Sequence, residues 1–158
     1  MQNKSTTSGA NPSGETSLFY FFCRTVVIVY ASPFQVITGS PVDLAKDDAC
    51  IRMIASIPTT WDETVVPAAR VNEYVVVARR KGAVWYLGGM NNSTARTLSM
   101  DLSFLKEGSY IARIFQDGVN AHRHADDYKV TTQVVTRNHT LEIPFAPGGG
   151  YVAEIKKN

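Results

Sequence analysis

Two short runs of β-branched and aromatic residues, separated by a glycine turn, constrain the fold of this chain most strongly. Glu73–Arg79 is rich in Val, and Ala83–Leu87 contains Trp85 and Tyr86. Such residues fit a pleated, half-buried surface, and Gly82 between the runs can adopt the positive φ of a tight turn. Both alternating faces of Glu73–Arg79 are apolar. The pattern predicts a β-hairpin whose first strand lies inside a sheet that is covered on both faces.

Further candidate strands follow one another from Glu63 to the end of the chain. Turn residues separate them at a spacing of roughly ten residues, which is typical of an antiparallel β-sandwich. Along Tyr110–Gln116 both faces carry apolar residues, so either face can point to the core. The predicted strands are Glu63–Val66, Val71–Arg79, Val84–Gly89, Ala95–Asp101, Ser109–Asp117, Tyr128–Val135, His139–Pro144 and Tyr151–Ile155.

The first part of the chain has a different composition. Met1–Ser17 is rich in Ser, Thr, Asn and Gly, which predicts a disordered tail. Leu18–Ala31 favours a strand by composition and a helix by length, while Phe34–Thr38 is a short apolar run and Asp43–Ile57 has helical spacing. The whole of Leu18–Pro58 is best read as helix, buried strand and helix, a piece of an α/β layer that cannot close a sheet alone.

Charge and cysteine content restrict the possible partners. The chain has 158 residues, 16 basic and 14 acidic, without a basic stripe, so nucleic acid is not an expected partner. Cys23 and Cys50 match no metal or disulfide framework. The apolar run at 18–31 is interrupted by Arg24 and is too short for a membrane helix, so no membrane partner is expected. A signal peptide is the less favoured alternative for this run.

Several stretches resemble glycoside hydrolase family 97. They are SPFQV at Ser32–Val36, IASIPTTWDETVV at Ile54–Val66, EYVVVARRKG at Glu73–Gly82, VWYLGGM at Val84–Met90 and FQDGVNAHRHADDY at Phe115–Tyr128. This family comprises α-glucosidases and α-galactosidases, mostly of Bacteroidetes. Its members have an N-terminal β-sandwich, a (β/α)8 barrel and a small C-terminal β domain that is linked to oligomerisation.

The resemblance implies a mainly β fold, in which an antiparallel β-sandwich follows a helix–strand–helix remnant of the (β/α)8 barrel. It divides the chain into a tail at 1–17, the end of the barrel at 18–62 and the C-terminal domain at 63–158. It implies a C-terminal fragment with a structural or oligomerisation role, whose partners are the rest of the barrel or sister subunits. The oligosaccharide substrate would be bound only by the intact enzyme, which would be periplasmic or secreted.

The resemblance also places the catalytic carboxylates and the calcium-binding glutamates upstream of this chain. No residue here is therefore expected to be catalytic or to bind a cofactor, and the chain alone is expected to be inactive. The adjacent acids Asp62 and Glu63 would point different ways on a strand, and we expect Glu63 to meet an arginine instead.

The HRHADD stretch contains the metal candidates His122 and His124. Alternating histidines on an extended segment can bind zinc, but a solvated loop is the favoured interpretation. Asn120, Arg123 and Asp127 are interpreted as structural, because Asn and Asp side chains satisfy loop backbone groups and Arg123 can pair with Asp127.

Trp61 and Trp85 are also interpreted as structural, Trp61 as an anchor at the junction with the barrel and Trp85 as a core residue. Two rival functions stay open. An independent carbohydrate-binding β-sandwich needs an exposed row of aromatics, and a small secreted metal enzyme needs both histidines to converge on a carboxylate. The many apolar residues of Leu18–Pro58 further predict an exposed apolar patch. The full chain is therefore expected to self-associate or to be poorly soluble, and a chain starting at about Pro58 is expected to be more soluble.

Overall fold

A computed structural model of the chain describes residues 25–34, 48–120 and 127–158. Residues 25–29 are helical, and a second helix spans Asp48–Ser56. The strands are β1 (Glu63–Arg70), β2 (Tyr74–Lys81), β3 (Val84–Asn91), β4 (Arg96–Asp101), β5 (Ser109–Asp117), β6 (Tyr128–Thr136), β7 (Thr140–Phe145) and β8 (Gly150–Lys157). The tail at 1–17 and residues 35–38 of the predicted buried strand lie outside the described residues.

The strands form two antiparallel sheets that pack face to face, which confirms the prediction of a mainly β sandwich. Among the described residues, the large sheet has six strands in the order β1-β2-β3-β8-β5-β6, and the small sheet pairs β4 with β7. The predicted hairpin joins β2 to β3, with Lys81 opposite Val84 and Gly82 at a φ of 57°. No helix within the described ranges is long and apolar enough to cross a membrane.

The inner face of the large sheet, which is the face toward the small sheet, forms the main core. In β5 the inner residues are Tyr110, Ala112 and Ile114, which settles the face that the sequence left open. Alternation along each strand explains the set, because every second residue points to the same face. The other core residues are Val76, Ala78, Trp85, Leu87, Met100, Leu102, Leu105, Val135, Leu141, Ile143, Phe145, Tyr151, Ala153 and Ile155.

The opposite side of the large sheet, the outer face, has an apolar core of its own. Its buried residues are Tyr86, Phe115 and Val152 on the strands, which pack with Ile28, Met53 and Ile57. We call residues 25–29 and 48–57 the covering segments, because they close this face.

The described residues before β1 differ in part from the sequence prediction. Ile28 is fully buried against the outer face, whereas Tyr30, two residues later, is 56% exposed. Residues 18–24 and 35–47 lie outside the described residues, so the expected exposed patch stays a prediction. Met53, in the second helix, and Ile57, just after its end, are buried, whereas Ala55 is exposed. Phe34, the first residue of the predicted buried strand, lies outside any strand and is 80% exposed.

The first strand is longer than predicted, and the second begins later. β1 continues to Arg70 through a register shift between Val65 and Ala68, where Pro67 lies. A bulge on an edge strand tolerates proline, which has no N–H to donate to a neighbour. Residues 71–73 form a turn with Asn72 at a φ of 63°, a conformation that asparagine adopts more readily than most residues.

Candidate docking surfaces

Tyr86 lies at the centre of the outer face and connects the sheet to the covering segments. Its hydroxyl donates a hydrogen bond to the backbone carbonyl of Ser56 at 3.0 Å. Its ring contacts the ring of Trp61 edge-on, with 5.5 Å between centroids. Burial, together with the nearby Glu154 carboxylate, raises the pKa of Tyr86, so the hydroxyl keeps its proton and remains a donor.

The structure places Trp61 between the end of the second helix and the first strand. Its ring is partly buried and packs against the outer-face cluster. The guanidinium of Arg79 lies 5.6 Å from the Trp61 ring centroid, within the range of a cation–π interaction. Trp61 therefore joins the helical and β parts of the chain through apolar and cation–π contacts.

Arg79 is a buried cation that sequence reasoning missed. It is only 5% exposed, and its Nη2 donates to the backbone carbonyl of Val29 at 3.2 Å. Its Nε has no hydrogen-bond partner among the described residues, and burial lowers the pKa of the guanidinium. The only signal in the sequence was its register, because Arg79 alternates with inner-face Ala78 and so must point outward on a covered strand.

The acidic pair before β1 secures the β2–β3 turn and does not converge on a common target. Asp62 accepts hydrogen bonds from the Gly82 N–H at 2.7 Å and from Lys81 Nζ at 3.2 Å. These contacts lower the pKa of Asp62, with the Gly82 N–H as the largest cause. Glu63 pairs with Arg80 at 2.9 Å. Both carboxylates are therefore occupied with the hairpin next to them.

Asp127 closes the loop between β5 and β6. Its carboxylate accepts the backbone N–H of Asn120 at 2.7 Å, and its backbone carbonyl accepts that of Gly118 at 2.8 Å. The metal candidates His122 and His124, and Arg123 between them, lie outside the described residues. Within the described ranges, no group of three or more His, Cys, Asp or Glu side chains is placed to hold a metal ion.

Trp85 is a core residue of the inner face. It is 5% exposed, and its ring lies 4.8 Å from the ring of Phe104. The aromatic residues of the described strands are all buried or half-buried, and the exposed aromatics Tyr30 and Phe34 precede β1. The described part of the sandwich therefore lacks the exposed aromatic row that an independent carbohydrate-binding module needs.

A groove of about 600 Å³ lies beside the turn between β1 and β2, and Tyr30 and Tyr74 help to line it. The Glu73 carboxylate lies 2.7 Å from Arg96 and 3.4 Å from Arg70. The Arg96 guanidinium also lies 5.1 Å from the ring centroid of Tyr74. Glu73, which lines the groove, is thus paired with two arginines, and these contacts favour a structural role for this turn.

The β6 end of the large sheet differs from the covered centre. Ile111 on β5 and Val130 and Val134 on β6 belong to the outer face, yet they are 39%, 39% and 60% exposed. The two sides of the outer face are therefore distinct: the described covering segments close the part around Tyr86, and they leave an apolar strip open along β6.

Comparisons with known proteins support one family. The model of the glycosyl-hydrolase 97 C-terminal, oligomerisation family matches residues 60–156. A retaining alpha-galactosidase from Bacteroides thetaiotaomicron is 42% identical over 136 residues, which is 85% of this chain and 20% of that protein. A probable retaining alpha-galactosidase from Streptomyces bingchenggensis is 28% identical over 126 residues, 80% of this chain and 19% of that protein. The chain spans about one fifth of the length of these curated relatives.

Solved structures have the same fold. A glycoside hydrolase family 97 enzyme from Pseudoalteromonas sp. strain K8, in complex with acarbose, superposes with a TM-score of 0.80 at 28% identity. The superposition covers 85% of this chain and 22% of that one. A beta-arabinopyranosidase superposes with a TM-score of 0.64 at 27% identity, over 77% of this chain and 19% of that one.

Proposed function

The chain belongs to the glycosyl-hydrolase 97 C-terminal, oligomerisation family, and on this basis we propose that it is the non-catalytic assembly domain of a longer retaining α-galactosidase. An oligomerisation domain of a glycoside hydrolase associates with other domains or subunits. For this chain, the proposed partners are the catalytic barrel that precedes the domain and further copies of the same enzyme.

The observation that carries this proposal is the composition of the outer-face core. The match to the family covers residues 60–156, which include both sheets, but Ile28, Met53 and Ile57 precede it. The large sheet therefore turns an apolar face toward segments that lie outside the family domain. Burial of apolar surface at about 25 cal/mol per Å² is the main driving force for such docking.

Three acidic side chains that the sequence brought into question have structural roles here. Asp62 and Glu63 hold the β2–β3 turn, and Asp127 closes the loop after β5. A glycosidase that retains configuration needs two carboxyl groups about 5–5.5 Å apart across the scissile bond. We place that pair in the barrel of the longer enzyme.

The proposed substrate class is the α-galactosides, because the two curated relatives described above are a retaining alpha-galactosidase and a probable retaining alpha-galactosidase. A second candidate is an α-glucoside, which is favoured by the complex of the Pseudoalteromonas enzyme with panose. The longer enzyme should cleave p-nitrophenyl α-galactoside and release α-galactose first. Faster cleavage of p-nitrophenyl α-glucoside would select the second candidate, and initial release of β-galactose would contradict retention.

Measurements on the purified chain of 158 residues test the assembly role directly. Light scattering over a range of concentrations should give a multiple of the 17.4 kDa chain mass, and the purified chain should not turn over p-nitrophenyl α-galactoside. A mass of one chain at every concentration would contradict self-association. Turnover by the pure chain would contradict the non-catalytic role.

A further inference from the structure

The two edges of the large sheet are built differently. β1, at one edge, contains Pro67 and a register shift, and carries charged residues at both ends. Proline, bulges and charges are the features that keep sheet edges from pairing with other chains. β6, which is the other edge among the strands that the structure describes, pairs with β5 over nine consecutive residues without a register shift.

The sequence of β6 has few of these protective features. Tyr128–Thr136 reads YKVTTQVVT, so it contains neither Pro nor Gly, and Lys129 is its only charged residue. β-branched residues dominate it, and these favour extended pairing. A long, regular and nearly uncharged edge presents unpaired backbone groups as a template for another strand.

We propose that β6 is the oligomerisation surface, where it pairs antiparallel with β6 of a second copy of this chain. The proposal rests on the proposed assembly function and names the surface and the partner. The partner is a second copy of this chain, because β6 can pair with itself. A two-fold axis through its central residue, Thr132, brings matching residues of the two copies opposite each other.

The self-pairing brings the apolar residues of the two copies together on the outer face. With Thr132 opposite Thr132 of the other copy, Val130 faces Val134 and Tyr128 faces Thr136. The exposed strip of Ile111, Val130 and Val134 then continues across both copies as one apolar surface. Cross-strand pairs of β-branched residues directly opposite each other stabilise antiparallel sheets.

The same register keeps equal charges apart on the inner face. Lys129 lies opposite Val135 of the other copy, and Thr131 lies opposite Gln133. The two Lys129 side chains are then six residues apart along the shared ladder, about 20 Å at the rise of a strand, where salt screens their repulsion.

This interface closes with two copies. A two-fold axis through Thr132 uses the same surface on both copies and consumes both β6 edges. The free edges of the resulting sheet are the two β1 strands, which carry Pro67 and the register shift. We therefore expect a dimer rather than an open fibre.

The first test replaces Thr132 by lysine, which puts two like charges directly opposite each other on the dimer axis. Thr132→Lys should raise the dimer dissociation constant by about tenfold or more, since like charges opposite each other destabilise a strand pair. Thr97→Lys is the matched control, because Thr97 is an exposed strand residue of the small sheet. It should leave the dissociation constant unchanged, and circular dichroism should confirm that both variants are folded.

The second test restores pairing by charge. A copy with Val130→Lys and Val134→Lys, and a copy with Val130→Glu and Val134→Glu, should each be monomeric alone. Mixed at equal concentration they should form a one-to-one dimer, because each Lys then faces a Glu across the axis. Failure of the mixture to associate, with both copies folded, would contradict this register.

The outcomes separate the two proposals. A dimer of the parent chain that is weakened by Thr132→Lys and not by Thr97→Lys supports the β6 surface. A parent oligomer whose mass survives Thr132→Lys overturns the β6 surface and leaves the assembly function standing. A parent chain that is monomeric at every concentration overturns the β6 surface and the self-association part of the assembly function. An effect of Thr97→Lys equal to that of Thr132→Lys overturns the β6 surface alone.

Discussion

The Tyr86 hydroxyl, on the third strand of the large sheet, lies 3.0 Å from the backbone carbonyl of Ser56 at the end of the second helix. The last turn of a helix leaves its carbonyl groups without partners in the helix. Tyr86 supplies a donor to one of them and buries its ring in the outer face. One side chain thus both packs against the covering segments and sets the position of their C-terminal end.

Tyr86→Phe should lower the free energy of unfolding by about 0.5–1.5 kcal/mol, the usual net value of one hydrogen bond. Tyr151→Phe is the matched control. The Tyr151 hydroxyl is buried and has no hydrogen-bond partner among the described residues, so its removal should be neutral or stabilising. Urea unfolding of the two variants checks this, and an equal loss in both would show that the Ser56 contact contributes nothing.

Trp85→Ala should lower the free energy of unfolding by about 3–5 kcal/mol, because it removes a large buried side chain and leaves a cavity. Phe34→Ala provides the contrast, since Phe34 is 80% exposed, and it should change stability by no more than about 0.5 kcal/mol. Denaturant midpoints measure both effects. An unchanged midpoint for Trp85→Ala would mean that Trp85 is exposed and available to stack on a sugar.

Two aspartates should change the pH dependence of stability in opposite directions. Burial raises the pKa of Asp117 above its ordinary value of 3.8, although the N–H groups of Ala146 and Gly150 oppose this. The native state then holds this proton to higher pH than the unfolded chain, so stability falls as the pH rises from 3.8 through the raised pKa. Asp117→Asn should remove this fall, and its gain over the parent should appear only above that window.

The contribution of Asp62 to stability changes with pH in the opposite direction, because the pKa of Asp62 is lowered. Its stabilising contribution is present above the ordinary value of 3.8 and is lost as the pH falls through the lowered pKa. Asp62→Asn should therefore be less stable than the parent near neutral pH and equal to it in acid. Urea unfolding from about pH 2.5 to about pH 7 compares both variants with the parent. Parallel curves for all three proteins would contradict the assigned shifts.

The strands were the most predictable part of this fold. Alternation of side chains located Val76 and Ala78 on one face and Gly82 at the turn, because these features depend on neighbouring residues alone. The order of strands did not follow from local pattern. β8 inserts between β3 and β5, and β4 leaves the large sheet to pair with β7, through contacts between residues distant in sequence.

The docking surfaces were less accessible to sequence reasoning. Arg79 carries a charge, and charged residues are rarely buried, so its place under the covering segments could be recognised only from its register. The exposure of β6 as an edge strand depends on the order of the strands in the sheet. Residue type predicted that Val130 and Val134 would favour a strand, but their exposure follows from that tertiary position.

Gly88 offers the most direct measurement of the central claim, which is that the outer face is a docking surface closed by the covering segments. A Cβ at Gly88 would lie 2.8 Å from the Cβ of Ile28, closer than two such atoms can approach. Gly89→Ala is the control for the opposite face, where the added Cβ would meet Cζ of Phe145 at 2.7 Å.

Hydrogen–deuterium exchange of the full chain reads out the result. In Gly88→Ala, the amides of residues 25–29 should lose protection while those of β4 and β7 keep it, because only the contact with the covering segment is displaced. In Gly89→Ala the change should fall on β7 instead. Equal protection of residues 25–29 in the parent and in Gly88→Ala would contradict the docking of this segment on the outer face.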